Sequence, residues 1–283
     1  MSATVPYAYG LAFPGVDGAG YLMRAAPGDW PEVHARHEVD GPRALRVDRA
    51  DASLDLLERS SELGRVVLDR YARTAHYYAD RPLTPDEFAR PFLDTAATAF
   101  ARWEGREAFH AGGFVADGGG WAVVGASRAG KSTLLGALAQ AGYDVLGDEL
   151  LVVDDQQAYA SVRCVDLRPD VVDLLGVGEL VHVARRGESR RLPLAPMEFS
   201  VPFRGWVFLA WADDLEVVRL PASQTVARVT GLRLWADVPT DPRRLLHFGS
   251  LPSFELRRPA DGLAVERVVE ELLNGVTTVS VAA

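Results

Sequence analysis

Gly125, Ala126, Ser127, Arg128, Ala129, Gly130, Lys131, Ser132 and Thr133 follow one another at the spacing of a phosphate-binding loop, Gly-x-x-x-x-Gly-Lys-[Ser/Thr]. The chemistry such a loop performs is set by residue type. Glycines let successive backbone N–H groups turn into one concave nest, and the helix that follows adds its own unpaired N–H groups and the positive end of its dipole. Lys131 can then bridge the outer phosphates of a nucleoside triphosphate, Ser132 can hold Mg²⁺, and Thr133 can touch the α-phosphate. A tight strand-to-helix turn would explain the glycines but not Lys-Ser-Thr. Phosphate binding becomes phosphate chemistry only with an acid. Asp148 lies 17 residues beyond Lys131, at the end of what should be the very next strand, with Glu149 beside it. No Leu-Ser-Gly-Gly-Gln signature and no Asn-Lys-x-Asp guanine reader occurs, which argues against a transporter ATPase or a GTPase.

These residues need elements to hold them. A short apolar strand over 121–124 leads into the loop, and Leu134, Leu135 and Leu138 mark the buried face of a helix over 131–141 stopped by Gly142. Strands follow at 143–146 and 150–153, interrupted by Gly147-Asp148-Glu149. Upstream, 109–115 reads as one strand carrying His110, with a turn at 117–120. Thr84-Pro85-Asp86-Glu87 is a capping box opening a helix to residue 103, with a core stripe of Phe88, Phe92, Leu93, Ala96, Phe100 and Trp103. Pro91 ends or kinks its first turns.

The remainder is less sharply patterned. Residues 1–60 read as short strands broken by turns, including 7–13 and 44–48, and 62–78 as a strand followed by a helix that periodicity alone does not arbitrate. Strands and turns fill 159–220, with a short helix at 171–175 and strands at 206–211 and 215–220 joined by 212–214. Helices close the chain at 221–236, 240–248 and 261–274, the last stopping at Asn274-Gly275. His34 and His37, near Glu32, Glu38 and Asp40, read as polar decoration, because no further ligand spacing supports a metal. Arg185, Arg186, Arg190 and Arg191 around Gly187 suit a phosphate or acidic-substrate contact, or more simply a solvated hairpin tip.

Composition sets the outer bounds. The 283 residues have room for one large α/β domain or two modest ones, and nearly half are hydrophobic. A net charge of −9 argues against a nucleic-acid partner held by general electrostatics. The single cysteine, Cys164, excludes an intramolecular disulfide and a cysteine-based zinc site, and reads as a small buried residue. No signal-peptide pattern and no long apolar run is visible, so a cytoplasmic protein without a membrane partner is expected.

Residues 109–154 resemble the HPr kinase/phosphorylase family, which shares a nucleotide-binding core with phosphoenolpyruvate carboxykinases. The resemblance is carried by Phe109-His110, the loop Gly125–Thr133, and Gly142-Tyr-Asp-Val-Leu-Gly-Asp148-Glu149, with His110 standing 21 residues before Lys131. It covers about a sixth of the chain. Two departures stand out: Glu149 replaces the family's second aspartate, and 155–200 lacks a Glu-x-Arg-Gly-x-Gly segment, with 162–168 at best a remnant. The second departure puts HPr as substrate, and phosphorolysis, in doubt. The chain is more similar to stand-alone HPr-kinase-like proteins, among them kinases acting on a serine of a ribosomally made, lasso-type precursor peptide.

What the resemblance implies is an α/β fold: a P-loop core of the HPr-kinase and carboxykinase type over 84–283, with a mixed sheet and flanking helices. Ahead of it, residues 1–83 read from their own pattern as a small α+β or β-rich segment, which by position alone is the natural candidate for acceptor recognition. It implies ATP–Mg²⁺-dependent phosphoryl transfer to a Ser/Thr hydroxyl of a peptide or small protein. In that reading Asp148 orients and deprotonates the acceptor, Lys131 neutralises the leaving phosphoryl, and Ser132, Glu149 and Asp148 surround the metal. His110 contacts the γ-phosphate or the acceptor, or else is a hydrogen-bonded core histidine. A small-metabolite kinase and a non-catalytic ATP-dependent docking protein remain alternatives, and oligomeric state is open.

Overall fold

A mixed sheet of nine strands, covered by helices on both faces, forms the body of the computed structural model. The structure describes residues 4–39, 56–61, 64–168, 171, 175–176, 179–183, 187–235, 240–260 and 264–277. At its centre the strand Gly119–Val124 runs parallel to the long strand Ser200–Trp211, which runs parallel in turn to Ser253–Arg258. On its other side Gly119–Val124 pairs antiparallel with Gly112–Ala116, and that strand pairs antiparallel with Val145–Gly147. The last strand is therefore parallel to Gly119–Val124, two places away. Strands buried on both faces should read as continuous apolar runs, and Trp121-Ala-Val-Val124 does. Trp121 and Val123 pack toward the helices Lys131–Gln140 and Val265–Thr277, while Ala122 and Val124 pack with Phe248 and Val229 of the helices Pro242–Ser250 and Ala222–Thr230.

The helix after the loop ends as Gly142 foretells. Gly142 has φ +87°, its N–H bonds Ala139 O at 3.1 Å, and the Tyr143 N–H bonds Leu138 O at 3.0 Å, a Schellman pattern. The Thr84–Glu87 capping box is present in both directions, and the helix breaks where Pro91 requires. Arg90 is extended (φ −144°, ψ 114°) because proline disfavours the helical conformation of the residue before it, and the helix resumes over Leu93–Trp103.

Other expectations are corrected. The strand read over 109–115 is two, Glu107–Phe109 and Gly112–Ala116, which part at His110 and join different portions of the large sheet. The described residues of the 62–78 segment, 64 onward, contain no helix: Gly64–Asp69 and Thr74–Ala79 are antiparallel strands in a four-stranded sheet with His34–Val39 and Leu56–Ser61. Alternating burial along both strands explains this, since one face lies on the core and the other on solvent. The described residues before Pro85 form strands and turns only, in that sheet and a three-stranded one, so of the α+β and β-rich readings of the amino-terminal segment the β-rich one holds there.

The last helix runs past its expected stop to Thr277. Gly275 is not a cap. A Cβ at that position would lie 2.5 Å from Val217 Cγ1, so the missing side chain lets the helix lie close against the strand Glu216–Arg219. The strands over 206–211 and 215–220 are not direct partners either, because the unforeseen strand Ser253–Arg258 lies between them. The expected segments at 44–48, most of 171–175, and Arg185 and Arg186 lie outside the described residues.

Candidate functional site

Four parallel strands deliver their carboxyl ends to one edge of the large sheet. Gly119–Val124 opens into the loop at Gly125, Val145–Gly147 into Asp148 and Glu149, Ser200–Trp211 ends on Trp211, and Ser253–Arg258 ends on Arg258. The antiparallel strand Gly112–Ala116 begins at the same edge, which puts His110 there as well. Such an edge is where open α/β sheets bind ligands. A cavity of about 640 Å³ lies along it, lined by His110, Lys131, Ser132, Glu149, Arg168, Trp211 and Arg258 among others.

The loop is held in an unusual conformation. Arg128 has φ +68° and Gly130 φ +79°, and the Ala129 N–H closes a turn on Ala126 O at 2.9 Å. A positive φ at a non-glycine residue costs energy, and such sites recur where a backbone is shaped around a ligand. Arg258 braces the loop from outside: its guanidinium donates to Ala129 O, and a Cβ on Gly130 would come within 2.6 Å of it. Burial pulls the Arg258 guanidinium down to about 10, which leaves it charged at neutral pH. Of the nine loop residues expected to bind nucleotide, all but the buried Ala129 border the cavity.

Below the loop the expected catalytic and metal residues come together. Ser132 Oγ donates to Asp148 Oδ2 at 2.6 Å. Lys131 Nζ lies 3.7 Å from Asp148 Oδ1 and 3.9 Å from Glu149 Oε2. The two carboxylates differ in access. The Asp148 side chain is 0% exposed and its Oδ1 accepts the Glu149 N–H at 2.9 Å, whereas Glu149 is 20% exposed and borders the cavity. Glu149 adopts φ +71°, a second non-glycine residue in the left-handed region. His110 sits over it, with Nδ1 3.1 Å from Glu149 O and 3.5 Å from Glu149 Oε2. Burial and the charge of Lys131 push the His110 imidazole below its ordinary value, so it is neutral at pH 7. Its contact with the Glu149 carbonyl then places the proton on Nδ1 and leaves Nε2 as an acceptor.

The hydroxyl and carboxylate oxygens of Ser132, Asp148 and Glu149 are hard donors suited to Mg²⁺. Among the described residues no group of three or more His, Cys, Asp or Glu is placed to hold a metal unaided.

A buried ionic network supports this floor. Arg90 donates from Nη1 to Asp94 Oδ2 at 2.9 Å and to Asp148 O at 3.3 Å, and from Nε to Asp166 Oδ2 at 3.4 Å. Arg191 donates to Asp166 Oδ1 at 2.7 Å, and Tyr9 to Asp94 Oδ1 at 2.6 Å. Arg191 is thus a buried strand residue of Gly187–Pro193, not a solvated tip. Burial pushes the Asp166 carboxyl up, but the Arg191 hydrogen bond and the charge of Arg90 outweigh it and hold Asp166 below the usual carboxylate range. Arg258, Trp211, Asp166 and Arg90 were not singled out from sequence. Alternation in Ser253-Phe-Glu-Leu-Arg-Arg258, bounded by Pro252 and Pro259, was the available sign of the strand that carries Arg258. Cys164 is buried, as expected. His34 and His37 lie on a strand, His37 with its ring 5.0 Å from that of Phe88.

No family model and no curated protein matches the chain. Among solved structures it is similar to the Hpr(Ser) kinase/phosphatase from Coxiella burnetii, at 10% identity over 62% of this chain and 99% of that one, with a TM-score of 0.31. This is a distant likeness, from which neither family membership nor substrate follows. No helix among the described residues is long and apolar enough to cross a membrane.

Proposed function

We propose that the chain transfers the terminal phosphoryl group of ATP, taken with Mg²⁺, to a hydroxyl of a peptide or small-protein acceptor. The observation that carries this reading is the convergence of Lys131, Ser132, Asp148 and Glu149 beneath the loop, all but the sealed Asp148 lining the cavity. Ser132 and Asp148 are the residues to hold Mg²⁺, which when bound would offset phosphate charge. Lys131 neutralises charge on the phosphoryl group as it leaves. The buried, hydroxyl-anchored Asp148 is better placed to position than to collect a proton. Glu149, open to the cavity and steadied by His110, is the better base, so the roles expected of the two acids are exchanged in this proposal. Glu149 takes the acceptor hydroxyl proton, the acceptor oxygen bonds to the γ-phosphorus, and the bond to the β–γ bridging oxygen breaks to release ADP. The Ser/Thr acceptor class rests on the resemblance of residues 109–154, and acceptor recognition is assigned to residues 1–83.

The test is transfer of labelled γ-phosphate to a Ser/Thr peptide library, alongside calorimetric titration of ATP–Mg²⁺. Lys131→Ala is expected to lower transfer about 10²–10³-fold, the usual cost of removing a transition-state charge partner. Failure of the wild-type chain to bind ATP–Mg²⁺ at millimolar concentration overturns the reading. Binding without transfer to any hydroxyl also overturns it, leaving a nucleotide-dependent docking protein. Transfer to a small metabolite but no peptide overturns the acceptor class.

A further inference from the structure

The cavity lining falls into two chemical groups. Lys131, Ser132, Glu149 and Arg168 are polar, whereas Trp211, Pro259, Val265 and Val268 are largely apolar. Trp211 is the unusual member: a large aromatic residue 49% exposed at the end of a central strand. An exposed tryptophan alone signifies little, but this one is tied to the phosphate loop. The Arg258 guanidinium lies 4.2 Å from its ring centroid while donating to Ala129 O, and Arg258 itself is 7% exposed. The same cation therefore fixes the indole and the loop backbone relative to each other. The strand register explains the pairing, because Trp211 and Arg258 are direct partners at the carboxyl ends of adjacent parallel strands.

The geometry points to a nucleobase platform: Trp211, braced by Arg258 and lining one cavity with Pro259, Val265 and Val268, takes the base of the bound nucleotide by stacking and apolar contact. This rests on the nucleotide reading of the loop. Stacking uses the π-face that every base has, and it favours the larger purines over pyrimidines. Stacking and apolar contact leave the hydrogen-bonding edge of a base unread. The site therefore selects purine over pyrimidine and separates adenine from guanine poorly.

Calorimetric titration of the whole chain with ATP–Mg²⁺, GTP–Mg²⁺, CTP–Mg²⁺ and inorganic tripolyphosphate, in wild type, Trp211→Ala and Trp211→Phe, tests this. ATP and GTP should bind within about five-fold of each other and more tightly than CTP. Trp211→Ala should weaken ATP about ten-fold, within the range found for loss of one base–aromatic stack, and leave tripolyphosphate within about two-fold. Trp211→Phe should recover most of the ATP affinity. Unchanged ATP affinity in Trp211→Ala overturns the platform and leaves the loop reading standing. Equal weakening of ATP and tripolyphosphate also overturns it, because the indole would then act only by shaping the loop. Failure of both ATP–Mg²⁺ and tripolyphosphate to bind wild type sinks the nucleotide reading itself.

Discussion

Asp148 and Glu149 are adjacent in sequence and close to Lys131 in space, yet their surroundings give them different access. Asp148 is sealed against Ser132 and the Glu149 N–H, while Glu149 reaches the cavity under His110. A pair of acids with different access is a common way to separate metal positioning from proton transfer. Glu149→Gln should lower kcat about 10²–10⁴-fold, the range for loss of a general base, with KM for ATP within a few-fold. Asp148→Asn should instead raise the Mg²⁺ concentration needed for half-maximal rate. Steady-state kinetics across a Mg²⁺ series distinguishes the two. Reversal of the two phenotypes would return the base to Asp148.

At the scale of elements, the loop and its helix were legible because three signals agree there: an apolar run, glycines at fixed spacing, and a glycine stop at 142. His110 was legible as a residue but not as a position, since nothing in Phe109-His-Ala-Gly-Gly113 reveals that two strands part there. Ser253–Arg258 went unread because its six residues lie between two helical patterns, and its pairing on both sides is a long-range property. Gly275 misled for a related reason, as a glycine demanded by packing looks in sequence like one that ends a helix. Gly275→Ala sets a helix-propensity gain of about 1 kcal/mol against overpacking of about 1–3 kcal/mol. With a Cβ only 2.9 Å from Val217 Cβ, the clash should win. A lower denaturant midpoint at unchanged slope is the expected result; a raised midpoint would mean that helix and strand separate at little cost.

Across the whole molecule, the buried chain Tyr9–Asp94–Arg90–Asp166–Arg191 joins the turn after the strand Val5–Ala8, the interrupted helix and the antiparallel strands Cys164–Leu167 and Gly187–Pro193 to the Asp148 backbone. Its partners stand up to 85 residues apart, which is why no local pattern announced it. Removing one member of a buried ion pair leaves the other charge uncompensated, so Asp166→Asn should cost about 3–5 kcal/mol in stability. The pH dependence follows from the direction of the shift. Asp166 is held below its unfolded value, so its stabilisation is complete above the ordinary carboxylate range and is lost as pH falls through the depressed folded value. Wild type and Asp166→Asn should therefore converge in stability under acid, as thermal melts between neutral pH and strong acid would record. A constant gap across that range would assign the cost to packing rather than charge.

The hairpin joining Gly112–Ala116 to Gly119–Val124 turns at Asp117 and Gly118, both with positive φ and both exposed, at the end of those strands away from the phosphate loop. That corner offers an attachment point. A dye, a surface tether or an inserted peptide placed there would travel with the central sheet while keeping clear of the cavity, allowing ligand binding to be followed on an immobilised molecule.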